Sequence, residues 1–129
     1  MTDPARFNSL LERVADARAP ERSLFAEVFF ACEGKQPPDI KAHFAMRMDE
    51  DAWTEAALIL MACALPGWRV QTNTGRGPGR VILLAPQADG SPGSVPSEPA
   101  HHAGGVALAM LVAVLREMAE QQQSGSTAS

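Results

Sequence analysis

The chain has 129 residues, 46% of them hydrophobic, which is enough for one domain around a single core. Its formal net charge of −4 at pH 7 does not suit the neutralisation of a phosphate backbone, so any basic surface must be local. The start, MTDPARFNSL, lacks the basic and apolar segments of a signal peptide. The longest strongly apolar run, near residues 106 to 115, is about half the length of a membrane span. We therefore expect a cytoplasmic protein that does not cross a membrane.

Two helices are predicted at the start of the chain. The first covers residues 1–18, where apolar residues recur three and four positions apart. Its apolar stripe consists of Phe7, Leu10, Leu11 and Val14. The second restarts at Pro20 and stops at Gly34, a residue that commonly ends helices. Its stripe consists of Leu24, Phe25, Val28, Phe29 and Cys32.

The segment 35–48 is predicted to be a loop. Pro37 and Pro38 cannot continue a helix, and the polar content rises after them. A short extended piece is expected around His43 to Met46.

The segment DEDAWTEAALILMACALPGW, residues 49–68, gives the strongest helical signal in the chain. Its acidic residues, Asp49, Glu50 and Asp51, suit the positive end of a helix dipole and are expected in the first turn. Pro66 and Gly67 end the helix.

A hairpin, residues 68–85, is predicted next. Trp68, Val70 and Thr72 alternate with polar residues, as in a half-buried strand, and RVILLAP is a second β-rich run. Trp68 is expected to be buried between the sheet and the helices. The loop TNTGRGPGR joins the two strands.

The remaining chain is divided into three parts. Residues 86–100 are rich in proline, glycine and serine and are expected to form a flexible loop. A helix of roughly residues 100–120 is apolar nearly all round, which predicts a central, covered helix. Residues 121–129 are expected to be a disordered tail. The prediction is thus an α+β fold, a single domain over residues 1–120, in which the hairpin is packed by four helices.

The glycines of TNTGRGPGR do not predict a nucleotide site. Glycine-rich loops hold phosphate where a strand runs into the start of a helix, whose free amides and dipole bind the anion. Here the loop runs from strand to strand, and it lacks the lysine followed by serine or threonine of a Walker loop. We expect a hairpin turn and no cofactor.

The arginines of the hairpin, Arg69, Arg76 and Arg80, are the candidate binding residues. They lie in the stretch 65–88, which contains no acidic residue in a chain that is acidic elsewhere. One interpretation is a solvated outer face of the sheet. The other is a contact surface for an acidic protein or for nucleic acid.

The sequence predicts neither a metal site nor a catalytic site. His43 is isolated, and the adjacent His101 and His102 point in different directions if they lie on a helix, so the spacing of metal ligands is lacking. No serine, histidine and acid arrangement can be recognised. Cys32 and Cys63 lie in apolar helical patterns and are expected to be buried, reduced thiols.

The order of PERSLFAEVF, DEDAWTEAALILMACALPGW, a short hairpin and GGVALAMLVAVLREM resembles the phage ABA sandwich domain family over about residues 19 to 118. The most specific pieces are the corner from Leu65 to Trp68 and the segment VALAMLVAVLR. The chain differs from the family at Phe25, where members often have an aspartate, and in the helix that precedes Pro20. The resemblance implies an α/β/α sandwich around a small antiparallel sheet. It implies no reaction, because the family has none established.

The leading hypothesis is a non-enzymatic phage or prophage accessory protein that binds another protein. Interference with a host defence system is one form of this function. The alternative is a nucleic-acid-associated protein that uses Arg69, Arg76 and Arg80. An enzyme acting on a small molecule is the least favoured class.

Overall fold

The computed structural model describes residues 4–32, 38–72, 78–89 and 95–127. Across these residues the chain has an α+β fold of five helices and a four-stranded antiparallel sheet, which confirms the predicted fold class. The helices are α1 (Pro4–Asp16), α2 (Arg22–Cys32), α3 (Pro38–Asp49), α4 (Trp53–Ala64) and α5 (Val106–Thr127). The strands are β1 (Arg69–Thr72), β2 (Gly79–Ala85), β3 (Val95–Pro96) and β4 (Ala100–His102).

Strand β2 lies at the centre of the sheet. It pairs with β1 along one edge, from Arg69 opposite Leu84 to Thr72 opposite Val81, and this confirms the predicted hairpin. Along its other edge, β2 pairs with β3 at one end and with β4 at the other. The sheet is therefore wider than the predicted hairpin.

Helix α5 forms the centre of the core. The side chains of its Leu108, Met110, Leu111, Val114 and Leu115 are fully buried, as predicted for a helix that is apolar nearly all round. It contacts β2 and β4 of the sheet, and it also contacts α1, α4 and α2. Although α5 has 22 residues, no helix in the described part of the chain is long and apolar enough to span a membrane.

Helix α2 is built on the predicted apolar stripe. Phe25 is fully buried, and its ring centroid lies 5.0 Å from that of Trp53 at the start of α4. The position at which the phage family often has an aspartate is therefore part of the hydrophobic core in this protein. The predicted stop at Gly34 lies outside the described residues.

The prediction of a loop over residues 35–48 is wrong, because α3 occupies Pro38–Asp49. Proline is favoured in the first turn of a helix, where its missing N–H has no intrahelical partner, so Pro38 starts this helix. Ile40, Phe44 and Met48 then recur every four residues on the side packed against the core. His43 lies on this helix, exposed, and its Nε2 accepts a hydrogen bond from Arg47 Nε at 3.1 Å.

The placement of the three acidic residues in the first turn of α4 is also wrong. Asp49 is the last residue of α3, and Asp51 lies in a turn with φ of 58°. Helix α4 begins at Trp53 and has no side-chain cap. Asp49 instead forms an ion pair with Arg22, and Glu50 forms one with Arg47.

Parts of the segment 86–100, predicted to be a flexible loop, form strands, and residues 90–94 lie outside the described residues. Residues 95–96 and 100–102 form β3 and β4, and both Ser97 N–H and Ser97 Oγ donate to the Leu83 carbonyl at 2.9 Å. Helix α5 accordingly begins at Val106 rather than near residue 100. Strands of two or three residues are too short to show an alternating pattern, so the sequence does not reveal them.

At its other end, α5 continues through Thr127, beyond the start of the predicted disordered tail at residue 121. Extending an existing helix requires no new nucleation, and glutamine is a good helix former. Gln121–Gln123 therefore extend a helix whose preceding turns are packed in the core.

Trp68 is half-buried rather than enclosed between the sheet and the helices. The fully covered residue of the corner between α4 and β1 is Leu65, with 2% exposure. Its N–H donates to Met61 O at 2.8 Å, and Gly67 then adopts a φ of 86°, which glycine accepts without strain.

Gly79 marks the closest approach between the sheet and the start of α5. It is buried at the beginning of β2, and a Cβ at this position would overlap the Gly105 carbonyl and the Val106 nitrogen. One glycine of TNTGRGPGR is therefore required by packing rather than by ligand binding.

Gly79→Ala should destabilise the fold by about 2 kcal/mol or more, because the added methyl meets backbone that cannot move aside. Gln71→Ala, at an exposed position of β1, is the control and should change stability by only about 0.5 kcal/mol. Urea unfolding followed by circular dichroism measures both. Equal stabilities of the two variants would contradict this close approach.

Glu117, on α5, has a carboxyl pKa that is raised above its ordinary value. The main cause is its partial burial on α5, and the neighbouring Glu120 raises the pKa further, while Arg116 opposes the shift. The carboxyl pKa of Glu117 is higher in the folded state than in the unfolded state. Its contribution to the free energy of folding is therefore most favourable at pH values below the ordinary carboxyl pKa. That contribution is lost as the pH rises through the raised value.

Glu117→Gln should therefore stabilise the protein at pH 7, and the gain should shrink as the pH falls into the ordinary carboxyl range. Unfolding curves at several pH values measure this difference. In an NMR titration, Glu120→Gln should lower the pKa of Glu117 only in part, because burial is the larger cause. A gain that does not change with pH would contradict this assignment.

Candidate functional site

The structure places two of the three predicted arginines on the hairpin. Arg69 is the first residue of β1, Arg80 is the second residue of β2, and both side chains are exposed. Arg76 lies outside the described residues.

The two faces of β2 differ in their surroundings. Val81 and Leu83 are buried and belong to the core, which β2 shares with α5. Successive side chains of a strand point to opposite faces, so Arg80, Ile82 and Leu84 lie on the face directed away from the core. The register adds residues from the neighbouring strands to this face. We define the outer face as Arg69, Gln71, Arg80, Ile82, Leu84 and His101.

Cross-strand pairing arranges the outer face as a small grid. Arg69 is opposite Leu84, and Gln71 is opposite Ile82. Arg80 is opposite His101, which the sequence had placed on a helix and which the structure places on β4. Strand geometry puts Arg69 and Arg80 roughly 14 Å apart, with the half-buried Ile82 between them and the half-buried Leu84 beside Arg69.

The charge of the outer face has one sign. Its six positions include two arginines and no carboxylate. On the helical layer, arginines form ion pairs with acidic residues: Arg13–Glu27, Arg22–Asp49, Arg47–Glu50 and Arg47–Glu55. Four carboxylates, Glu27, Asp49, Glu50 and Glu55, therefore lie beside arginines of the helical layer, whereas the six positions of the outer face contain none.

Sequence reasoning identified the arginines but missed the apolar part of the outer face. Ile82 and Leu84 belong to the run RVILLAP, in which all positions from 81 to 84 are apolar. Such a run hides the alternation between inward and outward residues. Arg80, which precedes this run, could have resolved the alternation. A charged residue is expected to point outward, so Ile82 and Leu84 at alternate positions should point outward too.

His102 has a structural position. It is 8% exposed, its Nδ1 accepts from the Gly104 N–H at 2.8 Å, and its Nε2 lies 2.6 Å from the Val14 carbonyl. Because Nδ1 is the acceptor, the ring proton is on Nε2, which donates to Val14. His102 thus connects the end of α1 with the turn that starts α5.

A cavity with a volume of about 440 Å³ lies beside this histidine. Its walls include the exposed side chains of Asp16, Arg18 and His101 and the backbone of Gly104. Both ring nitrogens of His102 are engaged with the main chain, so this ring is not placed to act as a base there.

The described residues contain no group of three or more histidine, cysteine or acidic side chains arranged to hold a metal ion. Cys63, expected to be buried, is half-buried. The side chain of Cys32 is outside the described part of the chain.

Comparison with protein-family models, with curated proteins and with solved structures finds no match for this chain. The resemblance to the phage ABA sandwich domain family therefore stays a prediction from the residues quoted above.

His102→Ala should cost about 2 to 4 kcal/mol, because it leaves the Gly104 N–H and the Val14 carbonyl without their partner in a buried place. His101→Ala, next to it but exposed, should change stability by about 0.5 kcal/mol or less. Thermal unfolding of the pair measures the contrast. A similar loss in both variants would show that the bridge does not support the fold.

Proposed function

We propose that this chain is a non-enzymatic binding protein whose outer face takes up an acidic region of a partner protein. The carrying observation is that the half-buried, apolar Ile82 and Leu84 share one face with the exposed Arg69 and Arg80, at positions that include no carboxylate. An apolar centre with a charged rim is the usual composition of a protein interface. The expected partner surface presents apolar side chains flanked by carboxylates that are roughly 14 Å apart.

The same observation favours a protein over nucleic acid. Binding to nucleic acid draws its affinity mainly from neutralised phosphates, and two arginines neutralise few of them. The net charge of −4 opposes such binding beyond this face. Contact with a phosphate backbone would bury little apolar surface of Ile82 and Leu84, whereas apolar side chains of a protein would remove that surface from water and so contribute to affinity.

The biological setting that we propose follows the resemblance to the phage family. In that setting the protein is an accessory product of a phage or prophage, acts in the cytoplasm of the bacterial host, and interferes with a host defence protein. The single-sign charge of the outer face is compatible with an acidic target, and the proposal of binding does not depend on this setting.

The test compares the parent with Arg69→Gln/Arg80→Gln. The partner is first recovered from host lysate and purified, and its affinity is then measured at low and physiological salt. The double variant should fold normally, because both arginines are exposed. Its affinity should fall by about tenfold, mainly through slower association, and it should depend less on salt. Adding Arg76→Gln to the double variant should lower its affinity for the partner further.

Arg6→Gln/Arg22→Gln is the matched control, since it removes the same charge from exposed positions of helices α1 and α2. It should retain parental affinity, whereas Ile82→Ser should weaken binding without changing the salt dependence. Parental affinity of Arg69→Gln/Arg80→Gln at both salt concentrations would overturn the proposal. Loss of the recovered material on nuclease treatment would favour the nucleic-acid alternative.

A further inference from the structure

The buried His102 joins three elements of the fold. It is the last residue of β4, and its Nε2 donates to the Val14 carbonyl of α1 at 2.6 Å. Its Nδ1 accepts from the Gly104 N–H at 2.8 Å, in the turn that leads into α5. We call these two hydrogen bonds the His102 junction. Only a neutral ring can form both of them, because a protonated imidazole has a donor on each nitrogen and no acceptor.

Protonation of His102 would therefore break the junction at Gly104. A proton on Nδ1 would face the Gly104 N–H, and two donors cannot form a hydrogen bond with each other. Gly104 is itself closely surrounded, since a Cβ there would lie 2.6 Å from Leu108 Cδ1 and 3.0 Å from the Arg18 carbonyl oxygen. A buried donor without an acceptor is costly, so the protonated ring has to leave its position.

The cavity of about 440 Å³ beside the ring offers the protonated side chain another position. Its exposed charged or titratable walls are Asp16, at the end of α1, Arg18, which follows it, and His101 of β4. The neighbours from α5 and β2 are uncharged, because α5 contributes Val112 to the cavity and Gly79 of β2 lies opposite the ring's own residue. An imidazolium turned into the cavity would be attracted by the carboxylate of Asp16 and repelled by Arg18.

We propose that His102 is an acid-sensitive switch built into this fold. In neutral solution the uncharged ring holds the end of α1 to β4 and to the turn before α5. On acidification the ring takes up a second proton, leaves the junction, turns towards Asp16 and releases the Gly104 N–H. Histidine is the side chain whose charge ordinarily changes between about pH 5 and pH 8. The switch does not depend on the function proposed for the outer face.

The release is local, because α1 has other contacts with the core. Phe7 and Leu10 are buried nearer its start, and they do not titrate. The end of α1 and the turn before α5 should therefore separate while the rest of the fold stays intact. This distinguishes the switch from acid unfolding, in which protection is lost throughout the chain.

Amide hydrogen exchange of the intact chain measures the release. The protection factor of the Gly104 N–H, corrected for the intrinsic effect of pH on exchange, should fall by at least about tenfold between about pH 7.5 and pH 5. The amide of Met110, in the buried part of α5, should keep its protection. Nitrogen NMR of the His102 ring should show the proton on Nε2 at about pH 7.5, and protons on both nitrogens where Gly104 loses its protection.

Two matched pairs of variants locate the switch. His102→Asn can accept from Gly104 but does not titrate, so it should remove most of the pH dependence of the Gly104 protection factor, whereas His43→Gln, at an exposed position of α3, should not. Asp16→Asn removes the carboxylate of the cavity and should move the loss of protection to lower pH. Asp39→Asn, at an exposed position of α3, should leave it in place.

Three results would overturn the proposal. The first is a Gly104 protection factor that stays constant down to about pH 5, whatever the protonation of the ring. The second is a loss of protection at Gly104 that is accompanied by an equal loss at Met110, which would show global unfolding. The third is an equal effect of Asp16→Asn and Asp39→Asn, because the ring would then not turn towards Asp16.

Discussion

The burial of α5 is the constraint on which the rest of the structure depends. Leu108, Met110 and Leu111 are fully covered, and they are followed by further buried residues on the next two turns. A helix that is apolar nearly all round cannot be stable with one side in water, so it needs partners around its circumference. The sheet supplies one of them, and α1, α4 and α2 supply the others. The sheet covers α5 with its inner side only. The side chains of the outer face therefore do not contribute to the core.

Two local contacts hold the sheet against helix α5. At Gly79, the backbone of β2 approaches the backbone at the start of α5 more closely than any side chain would allow. His102, on the neighbouring strand β4, is hydrogen-bonded to Val14 of α1 and to Gly104. Both contacts lie at the Arg80 end of β2, since Gly79 precedes Arg80 and is opposite His102. The position of Arg80 is therefore fixed by buried contacts, and this limits the conformational entropy that the outer face would lose on binding.

The sequence predicted the elements whose patterns are long enough to be distinctive. The hairpin followed from the alternation after Trp68, and the central position of α5 followed from its continuous apolar residues. Pro38 misled the prediction of α3, because proline disfavours the interior of a helix but favours its first turn, and the sequence pattern did not distinguish the two. Strands β3 and β4 have too few residues for periodicity and depend on pairing with β2.

In the candidate site, Arg69 and Arg80 could be predicted from the sequence, because they lie in a stretch without acidic residues. The inclusion of Ile82, Leu84 and His101 required the register of the sheet.

The distribution of charge explains how an acidic chain carries exposed arginines on a sheet face without carboxylates. Carboxylates of the helical layer pair with an arginine of the helix that precedes them, as in Arg47–Glu50, or with an arginine of another helix, as in Arg13–Glu27. Such exposed pairs contribute little to stability, but they reduce the local field of both partners. The strand positions of the outer face have no carboxylate. Because a close-packed core does not deform in small steps, occupation of the outer face should leave the packing of the helices around α5 nearly unchanged.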